Sequence, residues 1–125
     1  FGMISETLEK PFIESYFDCE FNTTSKYSSF DFINNEEKIV VELKTRRNSK
    51  NKYPSTLVGV NKIESGYEYI KEGYSVYFIF KFIDGIYKFQ LTDNCIKPYW
   101  IRCGGSQKWG KKYCYLPVGL LKSIM

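Results

Sequence analysis

The sequence predicts one α+β (α/β) domain, a central mixed β-sheet flanked by helices. Three observations predict it. The pattern along the chain runs helix, two strands, helix, two strands, then a basic tail. One segment, residues 75–83, is almost continuously apolar, as a central strand covered on both faces is. The 125 residues, 43% hydrophobic and 18% aromatic, can fill a single core, and no linker divides them.

Each element follows from its residues. Residues 4–17 read as a helix, with Leu8, Phe12, Ile13, Tyr16 and Phe17 as an irregular apolar stripe, Ser5 as cap and Glu6 in the first turn. Pro11 removes a donor, so the helix either kinks there or starts near Lys10 with Pro11 in its first turn. Residues 27–33 and 37–45 read as strands joined by the polar turn Asn34-Asn35-Glu36. After a loop at 48–54, Pro54-Ser55 reads as the start of a helix over 56–71. Leu57, Val60, Ile63, Tyr67 and Ile70 give that helix one apolar face, and Gly66 weakens it. Gly73 ends it. Asp84-Gly85 predicts a type I′ hairpin between 75–83 and 86–92, with Phe78, Phe80, Phe82, Tyr87, Phe89 and Leu91 on one face. Residues 98–103 and 112–116 read as further strands around Gly104-Gly105-Ser106, and Pro117 to Ile124 as a short helix.

The net charge is +4, unevenly placed. Glu6, Glu9, Glu14, Asp18 and Glu20 face a single base, Lys10, in the first 20 residues; residues 94–125 carry six bases and no acid. A second basic cluster, Lys44, Arg46, Arg47, Lys50 and Lys52, occupies the middle. Two basic segments in a small domain fit a polyanionic partner; the plain alternative is a solvated surface. No apolar run is long enough for a transmembrane helix, and no signal peptide is visible. Met3 reads as the native start behind an added Phe1-Gly2. Cys19, Cys95, Cys103 and Cys114 lack C-x-x-C spacing and there is no histidine, which argues against structural zinc and for reduced thiols in an intracellular setting.

The central strands hold charges where strands hold them poorly. In 39–44, Ile39, Val41 and Leu43 point one way, and Val40, Glu42 and Lys44 the other. In the strand before, Phe30 and Phe32 oppose Asp31. Asp31, Glu42 and Lys44 therefore fall on one side. Two converging carboxylates repel, and a hard divalent cation relieves the repulsion. Mg²⁺ accepts a few carboxylate oxygens and keeps several waters, with the Leu43 carbonyl as a third protein oxygen and Mn²⁺ as a substitute. A lysine beside them stabilises charge building on a phosphate. The plain alternative is a same-face ion pair on an edge strand, worth a few tenths of a kcal/mol.

Asp31 followed by Glu42-Leu43-Lys44 resembles the D…(D/E)-x-K core of the PD-(D/E)XK, or restriction-endonuclease-like, nucleases, and the element order over residues 4–92 is similar. Phe30 replaces the name-giving proline. The resemblance implies a restriction-endonuclease-like core, Asp31 and Glu42 as Mg²⁺ ligands, Lys44 as the catalytic lysine, and DNA as substrate. Members often carry a further glutamate on the first helix; Glu6, Glu9 and Glu14 are candidates. Some carry a polar residue on the helix after the lysine, a part open to Lys62.

A substrate track would use Arg46, Arg47, Lys50, Lys52 and Lys62, and Lys108, Trp109, Lys111 and Lys112 from the basic aromatic segment 93–125, with the tryptophan stacking on a base. With eleven tyrosines, no single one marks a nucleophile. The expectation is a Mg²⁺-dependent DNA endonuclease acting inside a cell, in cytoplasm or nucleus, or encoded by a virus and acting in its host. It would cut by structure (junction, flap or nick) as a homodimer, or serve a larger nuclease assembly. The alternatives are a non-catalytic nucleic-acid-binding or assembly domain on the same fold, and an RNA-directed nuclease. No membrane partner is expected.

Overall fold

The computed structural model describes residues 2–23, 30–92, 102–104 and 113–124, the backbone alone for 2–9, 102–104 and 113. Helix α1 (Gly2–Phe17) continues through Pro11 rather than starting at it, forgoing one backbone hydrogen bond. Asp18, in the left-handed region at φ 56°, ends the helix while the Cys19 N–H donates to the Glu14 carbonyl at 3.2 Å.

Strands β1 (Asn22–Thr23), β2 (Phe32–Asn34) and β3 (Ile39–Thr45) follow. β2 and β3 pair antiparallel with Phe32 opposite Val41 and Asn34 opposite Ile39. The turn between them lies at 35–38, one residue beyond the expected start, and Lys38 takes φ 54° to close it.

The largest departure from the sequence reading is at 55–59. These residues form strand β4 (Ser55–Gly59), not the first turns of a helix. Thr56 and Val58 alternate inward and pair with β8 (Tyr113–Pro117), whose contacts outweigh the apparent helical spacing of Leu57. Helix α2 begins only at Val60 (Val60–Lys71) and packs Val60, Ile63, Tyr67 and Ile70 toward the core. Gly66 is buried against the sheet: a Cβ there would lie 2.6 Å from Leu91 Cδ2 and 3.3 Å from Val76 Cγ1. The residue that weakens the helix lets it sit close.

Strands β5 (Ser75–Phe82) and β6 (Gly85–Leu91) form the expected hairpin, with Phe78 opposite Phe89 and Phe80 opposite Tyr87. The turn is Ile83-Asp84, because Phe82 already pairs Gly85; none of the three residues 83–85 has positive φ, so it is not type I′. β7 (Arg102–Gly104) pairs β8, and the expected C-terminal helix is instead a single 3-10 turn, Val118–Leu120, followed by β9 (Lys122–Ser123) on the β6 edge. Pairing of Lys122 with Lys88 and of Ser123 with Tyr87 offers that tail a ladder that a lone short helix lacks.

The main sheet has the order β1-β2-β3-β5-β6-β9, with β3 and β5 parallel and the other pairs antiparallel; β4-β8-β7 form a second, antiparallel sheet. Parallel strands need a crossover, and here the chain from β3 to β5 carries both β4 and α2. The main sheet is covered on both faces. Val41, Leu43 and Ile79 pack with Ile13 of α1, while Val40, Phe78 and Phe80 pack with Ile63 of α2 and with Val58, Cys114 and Leu116 of the small sheet. Phe30 and Phe32 fall on opposite faces, correcting the expectation that they share one: Phe30 stands before β2 begins, where strand alternation does not hold. Each fully buried phenylalanine contributes about 1.5–3 kcal/mol. Among the described cysteines Cys19 and Cys114 are free thiols.

Candidate active site

The β2–β3 hairpin sets the two acids side by side. The Asp31 N–H donates to the Val41 carbonyl at 3.1 Å, and Asp31 Oδ2 accepts the Leu43 N–H at 2.8 Å. The Asp31 carboxylate is thus fixed by the backbone of the strand that bears Glu42. Because a strand residue directs its N–H and C=O to the same edge, the Leu43 carbonyl also faces the Asp31 side.

Glu42 is 2% exposed, in the middle of a strand paired on both sides. It and Lys44 lie on the face that α2 covers. Lys44 Nζ and Lys62 Nζ each stand 3.1 Å from the same oxygen, Glu42 Oε2. The other oxygen, Oε1, is buried without a hydrogen-bond partner. The Glu42 pKa is pushed up to about 7, first by burial, then by hydrogen bonding with Asp31 and by its charge, against the pull of Lys44 and Lys62. Two ionised carboxylates offer each other no donor. The acids are therefore close enough to share a proton, and one oxygen lacks a partner when that proton leaves.

Such an oxygen fits a cation. Asp31, Glu42 and the Leu43 carbonyl are hard oxygen donors of the kind Mg²⁺ takes. Among the described residues no third acid, histidine or cysteine joins them. Glu14, a candidate for that part, instead accepts the Phe21 N–H at 2.7 Å and lines a separate acidic hollow; the geometry of α1 turns it away. The Glu6 and Glu9 side chains lie outside the described residues.

The basic residues divide by role. Arg46 donates from Nε to Thr56 Oγ1 at 3.1 Å and from Nη2 to the Leu57 carbonyl at 2.7 Å, and its guanidinium lies over Phe80, so part of its donor set ties β3 to β4. Burial lowers its pKa. Lys50 and Lys52 rest over the rings of Tyr87 and Tyr53, and Arg47 is exposed. A groove of about 660 Å³ opens beside Lys44 and is lined by Arg46, Lys50, Tyr53, Leu57 and Tyr115. Lys108, Trp109, Lys111 and Lys112 lie outside the described residues.

Lys62 is where sequence and structure differ most in meaning. On a helical wheel it stands roughly 120° from the apolar stripe, at about 100° per residue, which taken alone reads as a solvated position. With α2 starting at Val60, it sits in the first turn, directly over Glu42. The alternation Thr56-x-Val58 marks the strand before α2 but leaves the direction of Lys62 unchanged; what brings Lys62 to Glu42 is the seat of the first turn on the sheet.

Over residues 4–113 the sequence matches the family described as "Phage putative PDDEXK endonuclease". No curated protein matches it. Among solved structures, a nuclease from a fusselovirus has a similar fold, with a TM-score of 0.59 over 98% of this chain and 86% of that one, at 15% identity. At such identity the likeness is one of fold. The family match takes in the acids, both lysines and the whole crossover, and this chain belongs to the phage PDDEXK endonuclease family of PD-(D/E)XK nucleases.

Proposed function

We propose that this nuclease is a metal-dependent DNA endonuclease whose site is Asp31, Glu42 and Lys44. The observation that carries the reading is the buried, partnerless Oε1 of Glu42 beside the backbone-fixed Asp31 carboxylate. Asp31, Glu42 and the Leu43 carbonyl would hold Mg²⁺, with Mn²⁺ as substitute. Bound there, the ion supplies Lewis-acid polarisation of a phosphate oxygen and a more acidic water. Glu42 must be ionised to serve, and Lys44 and Lys62 favour that form. Lys44, part-exposed at the mouth of the groove, supplies positive charge toward the scissile phosphate and helps orient the attacking water. Arg47, Lys50 and Lys52 are our candidates for contacts to flanking phosphates; from the sequence of the C-terminal segment, Lys108, Lys111 and Lys112 are candidates for the same part and Trp109 for stacking on a base.

One small domain offers little surface for reading a long sequence. We therefore favour cutting by structure, as a homodimer or within a larger nuclease assembly, by a virus-encoded protein acting inside its host cell. A purely binding domain on this fold has no use for two carboxylates that repel phosphate.

The test is cleavage of plasmid, linear and branched DNA and of RNA with Mg²⁺, Mn²⁺ or EDTA, comparing wild type with Asp31→Ala, Glu42→Ala and Lys44→Ala. Metal-dependent DNA cleavage lost in all three variants supports the reading. Cleavage retained in Glu42→Ala sinks the site, and RNA cleaved in preference to DNA moves the substrate.

A further inference from the structure

The groove beside Lys44 has a wall that the site itself does not explain. Thr56 and Val58 of β4, and Cys114 and Leu116 of β8, are buried against the core. Leu57 and Tyr115, opposite each other in register, form the other face of the small sheet. A sheet face turned to solvent is ordinarily polar. Here it carries a leucine that is 42% exposed, and next to it stands Tyr53, 53% exposed. Around this apolar floor are Lys44, Arg46 and Lys50, and among the described residues no acid lines the groove. Lys44 belongs to both places, so the groove is continuous with the site.

A base inside a duplex presents its faces to its stacked neighbours and its edge to its pair. It cannot lie on an apolar wall. An unpaired base can, stacking its π-face on an aromatic ring while its phosphates meet the flanking cations. The volume, about 660 Å³, is in the range of grooves that take small ligands, roughly 300–1,000 Å³.

We propose that this groove binds unpaired nucleotides adjoining the scissile phosphate, with Tyr53 as stacking platform and Leu57 and Tyr115 as apolar wall. The preferred substrate is then a strand with a single-stranded stretch beside the cut, such as a flap or splayed end, over a continuous duplex. The inference rests on the nuclease reading and adds the substrate class to it.

The test measures binding in EDTA, where no cleavage occurs, by fluorescence anisotropy. Its probes are a labelled blunt DNA duplex, the same duplex with a short unpaired tail, and that tail made abasic. Wild type should bind the tailed duplex about ten-fold more tightly than the blunt one. The gain should vanish with the abasic tail and in Tyr53→Ala, and return in Tyr53→Phe. Leu57→Asp should reduce it, with thermal melts confirming that each variant folds. Equal binding of tailed and blunt duplexes by wild type, or an undiminished tail preference in Tyr53→Ala, would overturn the proposal. Cleavage separates the two readings. Equal metal-dependent cutting of tailed and blunt DNA removes the groove and spares the nuclease. A Tyr53-dependent tail preference without cutting under Mg²⁺ or Mn²⁺ keeps the groove and removes the catalytic assignment.

Discussion

Two regions of this molecule gather acids, and they differ in every respect that matters for chemistry. The hollow between α1 and the β2–β3 turn collects Glu14, Asp18, Glu20, Glu36 and Glu37 beside Lys10. It is richer in carboxylates, yet all five are part-exposed or exposed and Glu14 is occupied in accepting the Phe21 N–H. The second region has only Asp31 and Glu42. There one acid is held by backbone, the other is buried to 2%, two ammonium groups crowd one oxygen and the remaining oxygen has no partner. Water neutralises repulsion in the hollow at little cost; at the buried pair only a proton or a cation does so. Depth, not the number of acids, sets the candidate site apart.

Mutation tests this contrast most sharply through activity. Glu42→Ala and Asp31→Ala should lower metal-dependent plasmid cleavage by about a thousand-fold or more, and Lys44→Ala by about a hundred- to a thousand-fold. Glu36→Ala and Glu37→Ala should leave cleavage and melting unchanged. A comparable loss from the hollow would erase the distinction.

Stability against pH comes next. The Glu42 pKa is raised from its ordinary 4.5 to about 7, so the folded protein holds a proton there that the unfolded chain releases earlier. The stability this gives is complete below about pH 4.5 and is lost as pH rises through about 7. Metal-free wild type should therefore lose, relative to Glu42→Gln, on the order of 1–3 kcal/mol between pH 4.5 and 8 in urea melts. Mg²⁺ or Mn²⁺ at pH 8 should restore most of it for wild type alone. A gap that does not change with pH would mean that the carboxylate is well solvated after all.

A smaller effect probes what holds α2, and Lys62 with it, against the sheet. Gly66→Ala sets a methyl group 2.6 Å from Leu91 Cδ2 and should cost about 1–2 kcal/mol in a urea melt as α2 lifts from the sheet. The smallest concerns Lys62, which helps keep Glu42 ionised. Lys62→Ala should move the midpoint of the rising limb of the pH–rate profile upward by about one pH unit, with cleavage at pH 9 little changed. A downward move would show that Lys62 does not act on Glu42.

How far the sequence reveals this arrangement depends on how local each feature is. Asp31, Glu42 and Lys44 are legible because a hairpin of adjacent strands brings them together, and alternation within one strand places Glu42 and Lys44 on one face. The β5–β6 pairing is legible for the same reason, although the turn itself is placed one residue away from Asp84-Gly85. Strand β4 is not, since its partner β8 lies more than fifty residues further along, from Tyr113. Without it the start of α2 shifts to 56; Lys62 is hidden for a different reason, since it flanks the apolar stripe and reaches Glu42 only through the way α2 is seated on the sheet. Phe30 misleads because it stands ahead of β2, where strand alternation does not yet hold. The Pro117–Ile124 segment takes its form from pairing with β6, another distant partner.

The crossover from β3 to β5 is one uninterrupted length of chain, and it carries the groove wall at Leu57, the tether between Arg46 and that wall, and the lysine over Glu42. Features that could have been contributed by separate parts of the molecule are instead inherited together. An insertion or deletion between Thr45 and Val60 would re-aim the wall and shift the seat of α2, and Lys62 with it, at the same time. Grip on the substrate and acidity of the carboxylate would then drift as one trait, so relatives with a remodelled groove should also show a displaced pH optimum.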